Sequence, residues 1–352
     1  MQNHHIVIIW ASFAWLSSLL AIRKRLGKSV KITLIDKRET FTYIPALHEA
    51  LLNTDALKSF QFSLAKYYPE FKHATITNLD TTHHAVSTSD GETISYDYLV
   101  IATWSWANYF GKKDFEENTH LVRRAEDIDP LNKKLEKSQD IVVIGWWYTG
   151  IEIASMIATR KSKQQTITLI QVDDQLVPGY EKDIWDKAQK RLEQYWVKVV
   201  LWKYADKITT KHVILWDWSS LPSDCTILCG WITRHDSLYK DHLAFDSNYK
   251  AKQADAIYYA WDVATGLTTT AHNAMIEWRR IWYLISDRIK WEKNTYPPLE
   301  SRIILAMALG PKDWMITNGK RYIYLPFLTG LAKKIVEKRV MFEFTRRVML
   351  RI

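Results

Sequence analysis

Two sets of four residues recur in this sequence at identical spacing, and their pattern is that of a nucleotide-binding turn. The residues of the first set and their counterparts 135 positions later are Trp10 and Gly145, Ser12 and Trp147, Trp15 and Gly150, and Asp36 and Gln171. The first three have the spacing of G-x-G-x-x-G, a turn whose backbone N–H groups approach a pyrophosphate. The fourth follows after 21 residues, near the roughly 20 expected for a side chain that binds ribose hydroxyls. The spacing predicts two dinucleotide sites, although tryptophan stands where such turns need glycine.

Each set requires a strand before the turn and a helix after it. Residues 6–9 and 141–144 are apolar, β-branched runs of the kind that form buried parallel strands. Helices are expected to begin near Leu16 in the first unit and near Thr149 in the second. Two copies in this context are far stronger evidence than one glycine motif. The predicted fold is therefore α/β, with two Rossmann-like dinucleotide-binding domains.

Glycine and cysteine are both scarce. The 352 residues include 17 tryptophans but only 11 glycines, well below the usual glycine share of about 7%. Cys225 and Cys229 are the only cysteines, and four residues along a strand place them about 13 Å apart, too far for a disulfide. The sequence therefore predicts no disulfide framework and a reducing compartment. It shows no spacing typical of a metal site.

The formal net charge of +9 is concentrated near the end of the sequence. Residues 301–352 contain 11 Lys and Arg against 3 Asp and Glu, so the remainder is almost neutral. This distribution argues against nucleic-acid binding and indicates a local basic surface. Residues 6–22 carry no charge, but they are short for a membrane span, and basic residues follow them where a signal peptide has them before. A buried strand and helix are favoured for this stretch.

The turns and several other stretches resemble the flavoproteins with two dinucleotide-binding domains, and among them the type II NADH:quinone oxidoreductases and their apoptosis-inducing-factor-like relatives. The resemblance extends over nearly the whole chain and is carried by IVIIWASFAWLSS, ITLIDKRETFTYIPALHEALL, YDYLVIATWSWANYFG, IVVIGWWYTGIEIAS, LVPGYEKD, ILCGWI, ADAIYYAWDVA and TAHNAMIEWRRI. It implies an FAD domain formed by residues 1–112 and 250–296 and an NAD(P)H domain inserted at 138–235. A basic amphipathic, membrane-facing region is expected at 297–352.

The resemblance also implies the cofactors and the site. As such proteins work, FAD takes a hydride from NADH and passes two electrons to an acceptor. The residues assigned to FAD are Trp10, Ser12, Phe13, Ala14, Trp15, Asp36, Lys37, Ala102, Thr103, Trp104, Trp261, Asp262 and Ala271. The residues assigned to NADH are Gly145, Trp147, Tyr148, Thr149, Gly150, Gln171, Gly230 and Trp231. The catalytic candidates are Glu152, near the nicotinamide, and His272, near the acceptor.

The donor and the acceptor both remain open. Gln171 lacks the negative charge that would repel a 2′-phosphate, yet it provides no cation to bind one; NADH is preferred and NADPH is possible. Quinone-reducing members carry A-Q-x-x-x-Q beside the flavin, whereas this chain has Ala271, His272 and Ile276. His272 could donate a hydrogen bond to a quinone carbonyl, or it could be an ordinary helix residue. The stretch RETFTYIPALHEALLN contains no cysteine, which sets aside the disulfide reductases and disfavours sulfide oxidation.

The stretch PFLTGLAKKIVEKRVMFEFTRRVMLRI combines apolar residues with seven basic ones. This composition is typical of a helix at a membrane surface, although a helix packed on the body or at a dimer interface would share it. We therefore expect NADH oxidation with quinone reduction, by a protein bound peripherally to the cytoplasmic face of the cell membrane. The alternatives are a reductase of a soluble carrier, such as a small iron–sulfur protein, and a non-catalytic nucleotide sensor or scaffold.

Tryptophan replaces the glycine of the resembled family in nearly every motif. Glycine is expected at Trp10, Trp15, Trp104, Trp147, Trp196, Trp218, Trp231, Trp261, Trp278 and Trp282. The codon UGA differs by one base from the glycine codon GGA, so a source that decodes UGA as glycine would produce this pattern when UGA is translated as tryptophan. We hypothesise that most of these tryptophans are glycine in the native protein. The rival hypothesis is a tryptophan-rich chain that has lost its cofactors.

Overall fold

The computed structural model describes residues 4–10, 13–27, 29–102, 106–145, 147–160, 162, 164–229, 232–233, 246, 250–252, 254–259, 271–292 and 305–346. The elements up to residue 118 are β1 (His5–Ile9), α1 (Phe13–Leu26), β2 (Lys31–Asp36), β3 (Thr40–Thr42), two 3-10 helices (Ile44–Ala50 and Thr54–Ser59), β4 (Gln61–Ser63), α2 (Leu64–Tyr67), β5 (Phe71–His73), β6 (Ile76–Asp80), β7 (Ala85–Thr88), β8 (Thr93–Ser95), β9 (Tyr98–Ile101), β10 (Trp106–Ala107) and α3 (Lys113–Asn118). Those from 125 to 233 are α4 (Ala125–Lys137), β11 (Asp140–Gly145), α5 (Trp147–Arg160), β12 (Thr166–Gln171), α6 (Lys182–Gln194), β13 (Val197–Val200), β14 (Ala205–Ile208), β15 (His212–Leu215), β16 (Ser220–Pro222), β17 (Cys225–Cys229) and β18 (Ile232–Thr233). The later ones are β19 (Ile257–Tyr259), α7 (Ala271–Lys290), β20 (Leu305–Gly310), β21 (Asp313–Thr317), β22 (Tyr322–Ile323) and α8 (Leu328–Arg346).

The first unit is built on five parallel strands in the order β19, β9, β1, β2 and β5. Residues 6–9 of the central strand β1 are buried, because an apolar strand in a parallel sheet is covered on both faces. On one face α1 packs against α7, with Leu16 and Ile22 of α1 and Ile281 and Ile285 of α7 in one core. Strand β19 joins this sheet only after the second unit is complete, so the first unit is split along the chain.

The second unit has four parallel strands in the order β13, β12, β11 and β17. Helix α5 is buried from residue 150 to 157 and packs on β11 and β12. The short antiparallel pair of β10 and β18 lies where the chain enters and leaves this unit. Antiparallel sheets of three strands accompany both units: β6–β8 in the first and β14–β16 in the second. The predicted α/β fold, with one Rossmann-like unit inserted in another, is confirmed.

The C-terminal part of the chain, expected to be a basic amphipathic region at 297–352, contains a sheet as well as a helix where the structure describes it. It begins with an antiparallel sheet of β20, β21 and β22, and β20 packs against α5. The apolar run LAMALG makes this strand a core element, with Met307 and Leu309 fully buried. Helix α8 follows, and near its end the Phe344 carbonyl accepts a hydrogen bond of 2.8 Å from the Tyr68 hydroxyl. Among the described residues, no helix combines the length and apolarity needed to cross a bilayer.

Candidate functional site

The second turn has the close backbone packing of a nucleotide-binding turn. A Cβ added to Gly150 would lie 2.7 Å from the Gly145 Cα, and one added to Gly145 would lie 2.8 Å from Leu169 Cδ1. Neither position has room for a side chain, because the end of β11 and the start of α5 approach each other closely. The helix N-terminus, with its unpaired N–H groups, then faces the space beyond the strand. This arrangement fits the pyrophosphate of a dinucleotide.

The middle position of this turn is Trp147. Its φ is 62°, in the left-handed region that glycine adopts without strain. The indole lies against the loop before α6, where its Nε1 donates to the Pro178 carbonyl at 3.2 Å and its ring meets Tyr180 edge-on at 6.5 Å. The turn therefore has the backbone of a glycine turn and an added side chain.

In the first turn a tryptophan again occupies a left-handed backbone position that suits glycine. Trp10 has a φ of 88°, and its N–H donates to the Ile35 carbonyl at 2.8 Å. Its indole lies under the Arg38 guanidinium, which is 4.8 Å from the ring centre. Asp36, the expected ribose-binding residue, is buried and accepts hydrogen bonds from the Arg38 backbone N–H at 2.9 Å and from its Nη2 at 3.2 Å. The indole thus packs on the Arg38 side chain that binds Asp36, and FAD would fit this turn with glycine at residues 10 and 15.

Tryptophan dominates the left-handed backbone positions of the described residues. Ten non-glycine residues have a positive φ, and six of them are Trp10, Trp147, Trp196, Trp202, Trp218 and Trp291. The last four are mostly exposed, whereas Trp282 and Trp314 are buried in the core. A left-handed backbone is strained for tryptophan and unstrained for glycine. The backbone therefore supports the glycine hypothesis independently of the motifs, and extends it to positions 202 and 291.

Ionisable side chains are buried where α5, the 3-10 helix Ile44–Ala50 and α8 meet. Glu152 of α5 accepts a hydrogen bond from the Ala308 backbone N–H at 3.1 Å. Its other carboxyl oxygen lies 3.8 Å from Nδ1 of His48. Lys333 of α8 forms an ion pair with Glu337, and its Nζ lies 4.2 Å from the centre of the Trp314 ring. We call Glu152, His48 and Lys333 the buried ionisable cluster.

Burial controls the protonation of this cluster. It raises the pKa of Glu152 to about 8 and lowers the pKa of Lys333 to about 8. The pKa of His48 is held well below its usual value by burial and by the nearby Lys333 and Arg160 cations. Near neutral pH, Glu152 therefore keeps its proton and His48 is uncharged. The Nε2 atom of His48 is buried without a hydrogen-bond partner in the described part of the chain. Such a group can hold and exchange protons near neutrality.

The assigned cofactor residues fall at the expected edges of the two sheets where the structure describes them. Ala102 follows β9, and its N–H donates to the Ile9 carbonyl at 3.1 Å. Residues at the start of a helix are Phe13, Ala14 and Trp15 in α1, Tyr148 and Thr149 in α5, and Ala271 and His272 in α7. The residues outside the described part are Ser12, Thr103, Trp104, Gly230, Trp231, Trp261 and Asp262. The roles assigned to all these residues remain predictions.

Comparison with known proteins identifies the family. The family model described as pyridine nucleotide-disulphide oxidoreductase matches residues 4–277. The chain belongs to this family. Mouse ferroptosis suppressor protein 1 is 24% identical over 186 residues, which cover 51% of this chain and 48% of the relative. The chain thus spans about half the length of the first curated relatives it matches.

Solved structures show the same fold. The sulfide:quinone oxidoreductase of Aquifex aeolicus has a TM-score of 0.85 at 19% identity and covers 98% of this chain and 92% of its own. NDH2 from Plasmodium falciparum, solved with NADH, has a TM-score of 0.81 at 14% identity and covers 98% of each chain. Family membership and these neighbours support FAD and NAD(H) as cofactors. Cys225 and Cys229 lie on β17, and burial raises the pKa of Cys225 to about 12, as suits core thiols.

Sequence reasoning identified Glu152 but missed its neighbours. His48 lies in the apolar stretch PALHEALL, where a histidine followed by an acid was the available signal. Lys333 is one of seven basic residues in the C-terminal stretch, and nothing local distinguishes it from a surface lysine. The three segments are brought together only by packing of β20 and α8 against α5 and the first unit.

Proposed function

We propose that this protein is an FAD-dependent NADH dehydrogenase that reduces a quinone at a membrane surface. The second dinucleotide turn supports a nicotinamide donor, and the Plasmodium neighbour was solved with NADH. The Aquifex neighbour is a sulfide:quinone oxidoreductase, which supports a quinone as the acceptor. FAD, when bound, supplies the hydride and electron transfer between the two substrates.

The observation that carries this proposal is the buried ionisable cluster. Reduction of a quinone to a quinol consumes two protons together with two electrons, whereas reduction of an iron–sulfur carrier consumes none. A carboxyl group with a pKa of about 8 keeps its proton near neutral pH and can deliver it to a developing quinolate. Glu152, assigned from the sequence to the nicotinamide, is the proton donor to the quinone in this proposal, and Lys333, whose pKa is also about 8, is the group through which its proton is replaced.

Helix α8 connects this cluster to an exposed apolar surface. The side chains that we call the apolar face are Leu325, Phe327, Leu328, Leu331, Ile335, Val336 and Phe342, each at least 48% exposed. Exposed Lys334 and Lys338 lie on the same helix. Exposed apolar side chains with nearby lysines suit binding to an anionic bilayer. Binding there would bring a lipid-soluble quinone to the helix that carries Lys333.

The first test separates the two half-reactions. We would use the glycine-restored chain, defined as this sequence with glycine at the ten expected positions and at 202 and 291, loaded with FAD. In Glu152→Gln, reduction of the flavin by NADH should change less than about threefold, while reduction of a soluble quinone falls about 100-fold, the scale of general acid catalysis. The matched control is Glu136→Gln, an exposed acid on α4. An equal loss in both half-reactions would refute the proton-donor role.

The second test concerns the membrane. Deleting the C-terminal segment would disrupt the fold, because Phe344 packs against Phe41 with ring centres 5.6 Å apart. The double substitution Leu331→Ser with Ile335→Ser changes only exposed side chains. It should leave reduction of a water-soluble quinone intact and abolish reduction of a quinone dissolved in anionic vesicles. If an iron–sulfur protein is reduced and no quinone is, the acceptor assignment is wrong.

A further inference from the structure

An apolar cavity opens beside the second turn, at the carboxyl ends of three strands of the second sheet. Its volume is about 360 Å³, and its walls include Ile144 and Gly145 of β11, Leu228 of β17, Phe115 and Tyr204. Ligands of parallel α/β sheets bind at this edge. The cavity begins at the first glycine of the turn, so a flat adenine ring in it would leave the pyrophosphate at the N-terminus of α5. The attached ribose would then lie near the end of β12, because Ile170 of that strand also lines the cavity.

The end of β12 carries a carboxylate that is displaced by two residues. Gln171 occupies the usual position of the ribose-binding acid and is buried. Its Nε2 donates to Oδ2 of Asp173 at 3.2 Å. The neighbouring loop holds both residues in place, because the Lys203 N–H donates to the Gln171 carbonyl and the Trp202 N–H to the Asp173 carbonyl, each at 3.1 Å.

The two cations in the cavity wall are already paired. Lys203 forms an ion pair with Asp217, and Lys112 forms one with Asp206 at 2.9 Å. A 2′-phosphate at this edge would therefore meet two lysines whose charge is balanced. The Asp173 carboxylate lies just outside the cavity wall, beside the wall residue Val172 and two residues past the end of β12. Electrostatics at the site disfavour the phosphate, even though the strand-end residue itself is neutral.

We propose that Asp173, oriented by Gln171, determines the choice of donor: it accepts hydrogen bonds from the ribose hydroxyls of NADH and repels the 2′-phosphate of NADPH. This inference rests on the proposed function, in which the second unit binds the nicotinamide donor. It assigns to Asp173 the ribose-binding role that the motif spacing predicts for residue 171, and to Gln171 a positioning role.

The test measures binding as well as turnover. NAD⁺ and NADP⁺ are titrated by calorimetry into the glycine-restored, FAD-loaded chain, and kcat/KM is measured with NADH and NADPH. The unsubstituted chain should favour NAD⁺ by at least about tenfold, and Asp173→Asn should raise NADP⁺ affinity relative to NAD⁺ by about tenfold. Asp217→Asn, which releases Lys203, should shift the ratio in the same direction. Asp174→Asn, an equal change of charge at the next residue, should shift it by less than twofold.

Three outcomes would overturn the inference. One is an unchanged NADP⁺ to NAD⁺ ratio in Asp173→Asn while the flavin absorbance shows a folded protein. Another is a parent chain that prefers NADP⁺. If the parent binds neither nucleotide, the donor assignment in the proposed function fails and this inference fails with it; a ratio that does not respond to Asp173 leaves that function standing.

Discussion

The two dinucleotide units share one backbone plan but carry different side chains at corresponding positions. Strand pairing is in the same register, since Ile9 lies opposite Ile35 in the first unit and Ile144 opposite Ile170 in the second. Three of the differing pairs are Trp10 and Gly145 in the turn, Ser17 and Glu152 in the helix, and Asp36 and Gln171 at the strand end. The second unit leaves its turn free of side chains at both ends, whereas the first places an indole against Arg38, the residue that is hydrogen-bonded to its expected ribose-binding acid.

This difference shows that the backbone conformation of the first turn and the size of its side chain have opposite consequences for nucleotide binding. The first turn already has the left-handed conformation of a glycine at Trp10. The local strand–turn–helix geometry is therefore that of a working nucleotide turn, and only the side chain conflicts with a ligand. The pattern points to the identity of the residue, and not to a different fold, as the source of the conflict.

The largest expected effect is on FAD binding by the first turn. A chain produced with tryptophan at 10 and 15 should retain no flavin, whereas Trp10→Gly with Trp15→Gly should restore about one FAD per chain, because the indole volume at the turn is removed. Visible absorbance of the purified protein measures this.

Peptide mass spectrometry of the native protein shows directly whether glycine or tryptophan occupies these positions. We expect glycine at each of the six left-handed tryptophan positions, and tryptophan at the buried position 314. Tryptophan at both 10 and 147 of the native protein would contradict the glycine hypothesis and favour a relative without cofactors.

A smaller effect is expected from the buried acid that only the second unit carries. Glu152 has a pKa of about 8 in the fold against 4.5 when exposed. Between these values the folded state holds one more proton than the unfolded state, so the free energy of unfolding decreases as pH rises. Between pH 5 and 8, titration of Glu152 should lower the free energy of unfolding of the parent by about 4 kcal/mol. Glu152→Gln should lack this contribution.

Urea denaturation at both pH values measures this decrease, with Glu136→Gln as the control. The lowered pKa of Lys333, about 8 against 10.5, acts in the opposite direction and only between pH 8 and 10.5. An equal decrease in the parent and in Glu152→Gln would show that Glu152 titrates normally.

The smallest effect concerns crowding in the second turn. Gly150→Ala places a Cβ 2.7 Å from the Gly145 Cα, and we expect a loss of about 2–3 kcal/mol in the free energy of unfolding. The control Gly27→Ala, at a φ of 59° with no atom within 4 Å of the added Cβ, reports left-handed strain alone and should cost about 1 kcal/mol. Equal losses in the two variants would mean that close approach of the backbones does not matter.

The sequence alone determined the parts of this protein that depend on local spacing. Rossmann-like units place a turn and a strand-end residue at fixed distances along the chain, so the two units, their strands and the acid at Asp36 were predictable. The insertion of one unit into the other followed from the resemblance. The substitution of tryptophan for glycine was also visible, because it repeats at defined motif positions.

Only the tertiary structure decided what lies between distant segments. The sheet of β20–β22 was not expected, and it is this sheet that brings α8 and Lys333 to Glu152 and His48. The orientation of the Gln171 side chain toward Asp173 depends on contacts with residues 202 and 203, which lie on another loop. Periodicity records the environment of a residue along its own element, whereas burial, pKa and the partner of a side chain are set by elements that pack from elsewhere in the chain.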